Sequence, residues 1–262
     1  MNLERLKTLL NPQPSVIEVI NQFLKQEAAN KPKSAKQGHR PSSLGSPCLR
    51  KIYYSYFRVE EEPISPETAK IFKMGIYVEK MMMEFLKGVK LHIPFREKSG
   101  SIPTEDGEPD PQFRVGSPRW RIRMGKIDNV AHFNEKLWIF EIKSKKSTTF
   151  NKMKTPDEEH IVQVALYFQM FNDYYLAGNF AHIPEITGKA EGARLVYVNK
   201  DTAELKEFVL DKTVLHAAVY EIDKKVTLVN SFADKKVLPP KTAHFCQNCP
   251  FKAKCDKNAN VI

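Results

Sequence analysis

Three residues close together in the chain, Asp128, Glu141 and Lys143, have the types and spacing that hydrolysis of a phosphodiester requires. In an extended strand the side chains at i and i+2 share a face. Glu141 and Lys143 therefore point together, while Phe140 and Ile142 face the opposite way, into a core. A hairpin can bring Asp128 from the preceding strand alongside Glu141. Two converging carboxylates offer the oxygen ligands that a hard divalent ion such as Mg²⁺ or Mn²⁺ prefers. Such an ion lowers the pKa of its water and neutralises charge building at phosphorus. Lys143 can then orient the attacking water or stabilise the transition state. The triplet by itself is weakly specific, because many hairpins carry acids and lysines on a solvated face.

The four cysteines form a second constellation. Cys48 stands alone near the front, and Cys246, Cys249 and Cys255 close the chain as C-x2-C-x5-C. Stable disulfides are disfavoured inside cells, and close spacing favours a metal. Four thiolates hold either a tetrahedral zinc or an iron–sulfur cluster, and spacing does not separate the two.

These residues must be positioned by identifiable elements. Residues 14 to 29 carry Val16, Ile17, Val19, Ile20, Phe23 and Leu24 as a helical stripe, a candidate docking surface. The polar, basic stretch Asn30 to Pro41 reads as a loop, able to touch a polyanion or simply solvated. A short helix opens at Ser46 or Pro47, and a long one runs from Pro66 to Leu86, stopped by Gly88. On that helix Phe72, Gly75, Glu79, Met82 and Leu86 share one stripe, so Glu79 falls on an apolar face. An unpartnered carboxylate there is costly, so Glu79 either meets a basic partner or ligates the same metal. Gly75 is read as allowing the helix close to the sheet.

Segment 91 to 118, rich in Pro and Gly and acidic from Glu105 to Asp110, reads as an irregular loop or lid. Strands are expected over Arg119 to Phe133 and Leu137 to Ser144, joined by Asn134-Glu135-Lys136. A helix over Asp157 to Leu176 ends at Gly178 and places Gln163 and Tyr167 on one face. Tyr167 is either a core or rim aromatic, or with Gln163 it steadies Lys143 or a DNA strand. Strands over Ala193 to Asn199 and Leu205 to Leu210 and a helix from Lys212 to Val229 precede the cysteine tail. Three units are expected: an N-terminal helix and basic linker (1–41), a core (42–238) and the tail (239–262).

The 262 residues suffice for one large α/β domain with extensions. Lys and Arg number 41 against 31 Asp and Glu, a net charge of +10, which favours a polyanionic partner unless it serves solubility alone. No apolar run reaches membrane-spanning length and the start lacks a secretory stretch, so a soluble cytoplasmic protein of a bacterial or phage-infected cell is expected, with no membrane partner. No Gly-rich phosphate loop with its Lys-Ser/Thr is present, which argues against an ATPase or helicase. His132 and His160 read as packing or surface residues. Tyr53, Tyr54, Tyr56 and Phe57 could stack on unpaired bases but fit a buried amphipathic segment better.

Gly75-x3-Glu79, Gly125-x-Ile127-Asp128, Glu141-Ile142-Lys143 and Gln163-x3-Tyr167, in that order, resemble the RecB-like branch of the PD-(D/E)xK nuclease superfamily. Cys48-Leu49-Arg50-Lys51 with the C-terminal trio resembles its iron–sulfur subset, which includes the AddB nuclease domain, the CRISPR-associated exonucleases and phage exonuclease relatives. The resemblance covers about residues 42 to 256. It implies a restriction-endonuclease-like α/β core with a mixed central sheet flanked by helices. It also implies a [4Fe–4S] cluster on Cys48, Cys246, Cys249 and Cys255 that joins the two ends, with zinc the lesser alternative. By the same resemblance Glu79, Asp128, Glu141 and the Ile142 carbonyl ligate Mg²⁺ or Mn²⁺, Lys143 assists the water, and Gln163 and Tyr167 position lysine or substrate. Glu79 departs from the pattern, since that branch commonly has histidine there. The implied substrate is single-stranded DNA or DNA ends, in recombination, repair or spacer processing, with a recombination or CRISPR-adaptation partner conceivable. The rival reading is a non-catalytic DNA-binding module with a vestigial metal site.

Overall fold

The computed structural model describes residues 15–30, 37–95, 112–241, 246, 247 and 249–257. Part of the basic linker and most of the expected irregular segment therefore lie outside the described residues.

Helix α1 (Val16–Asn30) forms where the apolar period indicates, but Leu24 is buried while Val16, Ile17, Val19, Ile20 and Phe23 are exposed. It lies on α4 (Pro66–Gly88), to which it is tied by a Glu27–Lys73 ion pair. Between them come two short helices, α2 (Pro41–Leu44) and α3 (Leu49–Tyr56). Ser65 caps α4 by accepting from the Thr68 N–H, and Pro66 occupies the first turn, where its missing N–H costs nothing.

Two sheets follow. Strands β1 (Phe113–Ser117) and β2 (Ile122–Ile127) form an antiparallel pair. β3 (Asn129–Phe133), β4 (Lys136–Lys145), β5 (Gly192–Asn199) and β6 (Leu205–Asp211) form a four-stranded sheet in that order. The β4–β5 pair is parallel and the other two are antiparallel, so this sheet is mixed. The parallel pair requires a crossover, supplied by α5 (Ser147–Phe150) and α6 (Glu158–Leu176). α7 (Lys212–Lys235) follows β6, with Asp211 capping it through the Val214 N–H. α8 (Lys252–Lys257) lies in the tail.

Two readings of the sequence are corrected here. The expected strand from Arg119 to Phe133 is two strands belonging to different sheets, broken at Asp128. The stretch read as wholly irregular up to residue 118 contains β1, whose Phe113 and Val115 are buried. The β3–β4 turn is tighter than expected, because Asn134 and Glu135 alone make it with φ of 49° and 62° and Lys136 already pairs with Phe133. That is the geometry of a two-residue hairpin turn, which suits the right-handed twist of its strands.

Helices cover the four-stranded sheet on both faces. α4 packs Val78, Met82, Met83 and Leu86 against Phe140, Ile142, Val196 and Val198. The larger core, on the opposite side, joins Ile139, Leu195 and Tyr197 to α6 and α7. A third cluster docks Phe251 and Cys255 of the tail on Tyr54 of α3, with ring centroids 5.5 Å apart. Tyr54 and Tyr56 are thus interior residues, as an amphipathic segment requires. No described helix is long and apolar enough to cross a membrane.

Candidate functional site

Strand β4 is buried on both faces, yet it carries Glu141 on the face turned to α6. The alternation Leu137, Ile139, Glu141, Lys143 forces that outcome, since Phe140 and Ile142 occupy the face against α4. Glu141 is 1% exposed and Lys143 retains 23% of its side-chain surface. Lys143 Nζ lies 2.6 Å from Glu141 Oε1 and donates to Gln163 Oε1 at 3.2 Å. Gln163 Nε2 in turn donates to Glu141 Oε1 at 2.8 Å and to the Tyr167 hydroxyl at 3.2 Å. The four-residue spacing of Gln163 and Tyr167 on α6 is what lets one amide serve both.

Asp128 stands one position before the Asn129–Phe140 pair, so the β3–β4 register runs it toward Glu141. Its Oδ2 accepts the Ile142 backbone N–H at 2.8 Å. Because N–H and carbonyl of a strand residue point to one side, the Ile142 carbonyl faces the same edge. Glu79 enters from α4: Gln112 Nε2 donates to Glu79 Oε1 at 2.7 Å and to Asp128 Oδ1 at 3.4 Å. Gln112 thus bridges two of the expected ligands. It was missed in sequence, because it precedes a strand by one residue and no periodicity marks it.

Electrostatics follow from one ammonium among three carboxylates. Burial and the charge of Asp128 push the Glu141 carboxyl up to about 8, against the opposing pull of Lys143. Burial also raises Asp128. Burial alone would depress Lys143, but Glu141 and Asp128 outweigh it and hold the ammonium above its ordinary value. Burial and Glu141 raise the Tyr167 phenol, which therefore stays protonated.

Glu141 Oε2 is buried and has no hydrogen-bond partner among the described residues. An orphaned carboxylate oxygen beside a second carboxylate suits a cation, and all its donors are hard oxygens. No three acidic, histidine or cysteine side chains are yet gathered into a coordination shell among the described residues.

Beyond the site, Lys145 pairs with Asp157, and His160 Nδ1 meets the Tyr197 hydroxyl at 2.8 Å. Burial, Lys143 and Lys145 take His160 down to about 4, so it is neutral, in keeping with a packing role. His132 meets the Glu185 carbonyl at 2.8 Å. Lys200 is lowered by burial and by the nearby Lys146 and Lys145, which places three ammonium groups about the end of β4. Gly75 does not secure close packing, since an added Cβ would meet only Ser144 Oγ, at 3.6 Å. Gly125 does. A Cβ there would lie 2.8 Å from Tyr167 Cε1 and 2.9 Å from Pro41 Cγ.

The four cysteines line one cavity with Arg50, Lys51, Tyr54, Lys241, Phe251, Lys252 and Asp256. Cys48 is the N-cap residue of α3. Burial raises the Cys249 thiol, Lys51 opposes that rise, and Cys48 and Cys246 add to it. All four are free thiols. A soft, four-sulfur donor set fits zinc or an iron–sulfur cluster.

The family model described as "PD-(D/E)XK nuclease superfamily" matches residues 43–256. In structure the chain is similar to the protein SSO0001, with a TM-score of 0.50 and 15% identity over 93% of this chain and 98% of the other. Lesser likenesses are to LHK-Exo in complex with dAMP (TM-score 0.43, 12% identity, 76% of this chain and 91% of the other) and to LHK-Exo alone. The latter is an alkaline exonuclease from Laribacter hongkongensis, with a TM-score of 0.37 and 11% identity over 82% of this chain and 100% of that one. No curated protein matches the chain in sequence. With about four-fifths of its length matched by one family model, a mixed sheet between helices, and Asp128, Glu141 and Lys143 converging where the β3–β4 pairing ends, the chain belongs to the PD-(D/E)XK nuclease superfamily.

Proposed function

We propose that this protein is a metal-dependent deoxyribonuclease acting as an exonuclease on single-stranded DNA or DNA ends, with a structural [4Fe–4S] cluster on Cys48, Cys246, Cys249 and Cys255. The observation that carries the reading is the Asp128–Glu141–Lys143–Gln163 network, in which one oxygen of a buried carboxylate has no partner among the described residues. Family membership and the net charge of +10 support the nucleic-acid substrate, and the choice of single strands and ends rests on the family resemblance.

Asp128 and Glu141, with Glu79 and the Ile142 carbonyl, would hold Mg²⁺ or Mn²⁺. That ion supplies charge neutralisation at the phosphate and an acidified water. The chain's own residues do the positioning. The Ile142 N–H fixes Asp128 through Oδ2 at 2.8 Å, while Oδ1 accepts only the longer 3.4 Å bond from Gln112 and is the oxygen turned to the metal in this reading. Gln163 bridges Glu141 and Lys143, setting the lysine's ammonium against the same carboxylate oxygen. Lys143, still partly exposed, reaches solvent and can hold a water or a phosphate oxygen by hydrogen bond. Tyr167 stays protonated behind Gln163 and keeps its amide aimed at Glu141.

Cleavage of fluorescent single-stranded DNA by anaerobically purified protein, with Mn²⁺, Mg²⁺ or EDTA, tests this. Metal-dependent cleavage is expected, falling about 10²–10³-fold in Lys143→Ala, the usual loss on removing one electrostatic stabiliser. Undiminished cleavage in both Lys143→Ala and Glu141→Ala would sink the assignment. Binding without cleavage under every metal would instead identify the non-catalytic module, for which Glu79 in place of the branch's usual histidine is the motivating departure.

A further inference from the structure

Arg50 is a charged residue buried where its surroundings do not account for it. It is 7% exposed, and among the described residues no carboxylate pairs with it. Its place near the start of α3 puts a cation at the positive end of a helix dipole, the unfavourable end. A guanidinium cannot shed its proton to escape such a site, so burial must be offset by an anion or by full hydrogen bonding. Two contacts are present. Nε donates to the Pro239 carbonyl at 2.9 Å, and Nη1 reaches Cys255 Sγ at 3.5 Å.

The rest of the cavity repeats the theme. Lys51 acts electrostatically on Cys249, and Lys241 on Cys246 and Cys255. Lys252 is a fourth cation in the lining, while Asp256, paired with Lys241 at 3.2 Å, is its one carboxylate. With a metal bound, the cysteine thiolates would supply the negative charge that balances this lining. Four thiolates around zinc, or around an oxidised four-iron cluster, leave two net negative charges.

We infer that Arg50 is the built-in counter-charge of the four-cysteine metal centre, holding Cys255 as an anionic ligand and fastening the start of the tail at Pro239. The inference rests on the proposed cysteine centre and does not depend on whether the metal is iron or zinc. Arg50 acts through Cys255 and is a positioning residue. It touches both ends of the tail segment, at Pro239 and at Cys255, so loss of its charge loosens the centre and the tail together. The tail is also held by the Glu62 N–H donating to the Pro250 carbonyl at 2.7 Å and the Ala253 N–H donating to Glu62 Oε1 at 2.7 Å. Those contacts are independent of Arg50.

The test uses full-length protein purified without oxygen: wild type, Arg50→Gln, Arg50→Lys and Cys255→Ser, with folding verified by circular dichroism. Iron and zinc per chain are measured before and during challenge by a chelator, together with protease cutting after Pro239. Arg50→Gln is expected to lose its metal about 10–100 times more readily than wild type, as partners of metal ligands generally do. Arg50→Lys is expected to fall between, because it keeps the charge and cannot span both acceptors. For an iron–sulfur centre, the midpoint potential of Arg50→Gln is expected to move to more negative values, a shift that a purely space-filling role would not produce. Metal retention in Arg50→Gln equal to wild type, with Cys255→Ser depleted, overturns the inference and leaves the cysteine centre standing. Equal losses in Arg50→Gln and Arg50→Lys, with no change in the potential of any iron–sulfur centre, overturn the charge argument. Wild type with no metal overturns the cysteine centre itself, and the inference with it.

Discussion

Glu141→Gln should make the metal-free protein more stable and abolish its stabilisation by metal. The substitution keeps Oε1 as acceptor for Lys143 Nζ and Gln163 Nε2 and replaces only the oxygen that has no partner among the described residues. Burial and Asp128 raise the Glu141 carboxyl to about 8 from an ordinary 4.5. For an acid raised on folding, the folded state binds more protons than the unfolded one between those two values. Stability is therefore full below pH 4.5 and declines as pH climbs toward 8. At pH 7 the accumulated loss is about 3 kcal/mol, at about 1.4 kcal/mol per pH unit. Glutamine carries no such penalty. The pull of Lys143 is already contained in that value, so the variant is expected to gain about 1–3 kcal/mol.

For a chain of this length, 1 kcal/mol moves Tm by roughly 2–4 °C, so a rise of several degrees is expected at pH 7 in EDTA. Near pH 5 the difference should nearly vanish. Saturating Mn²⁺ then inverts the order: wild type gains about 2.7 kcal/mol at a hundredfold excess over Kd, and the variant gains little. Calorimetric melts of both proteins at pH 5, 6, 7 and 8, with EDTA and with Mn²⁺, read this directly. A variant less stable than wild type at pH 7 in EDTA would mean that Lys143 satisfies Glu141 as an anion, and the reasoning would fail. Equal Mn²⁺ stabilisation of both would show that Glu141 is not a ligand.

His39 is buried, its Nε2 donates to Asn230 Oδ1 at 2.9 Å, and it is taken down to about 4 chiefly by burial. Its folded state stays neutral while the unfolded chain protonates, so stability is full above pH 6.5 and falls by about 3 kcal/mol on the way to pH 4. Urea melts in the Glu141→Gln background, which removes the opposing carboxylate contribution, should show His39→Gln flattening that slope; an unchanged slope would clear His39. Gly125→Ala drives a methyl group into the Tyr167 ring and Pro41 and is expected to cost about 1–3 kcal/mol while lowering cleavage by displacing the tyrosine behind Gln163. Wild-type denaturant midpoint and cleavage in that variant would show that the β2 edge simply yields.

The parts of the site legible in sequence were those set by local period. Glu141 and Lys143 share a strand face, and Gln163 and Tyr167 share a helix face, and both pairs meet as their spacing requires. The start of α4 at Pro66 and the end of α6 before Gly178 followed from local signals, whereas α4 runs through Gly88, the residue expected to stop it, to a cap at Val89. What stayed hidden depends on chain segments far apart. Nothing between Arg119 and Phe133 announces that β2 pairs with β1 and β3 with β4, because both halves are apolar enough for one strand. β1 was concealed by its brevity, five residues beside a polar stretch, and Gln112 by standing just before that strand, where no period marks it. The stripe of α1 was read correctly as helical, but a period says only that a face is apolar and not that the fold covers it.

The break at Asp128 explains why the site lies where it does. Pairing of β3 with β4 ends at Asn129–Phe140, so β4 beyond Phe140 has a ladder partner only on its β5 side. A buried N–H at Ile142 would then lack an acceptor, at a cost of about 1–3 kcal/mol. The Asp128 carboxylate takes the place of the missing strand carbonyl. One hydrogen bond thus completes the sheet edge and orients the carboxylate toward Glu141, so the geometry of the proposed site and the end of the ladder are one structural event. A continuous β2–β3 strand would have satisfied Ile142 by backbone and left Asp128 no fixed orientation. The burial that makes both carboxylates unfavourable in the metal-free protein is, on this account, inseparable from the strand ending that aims them at a common point.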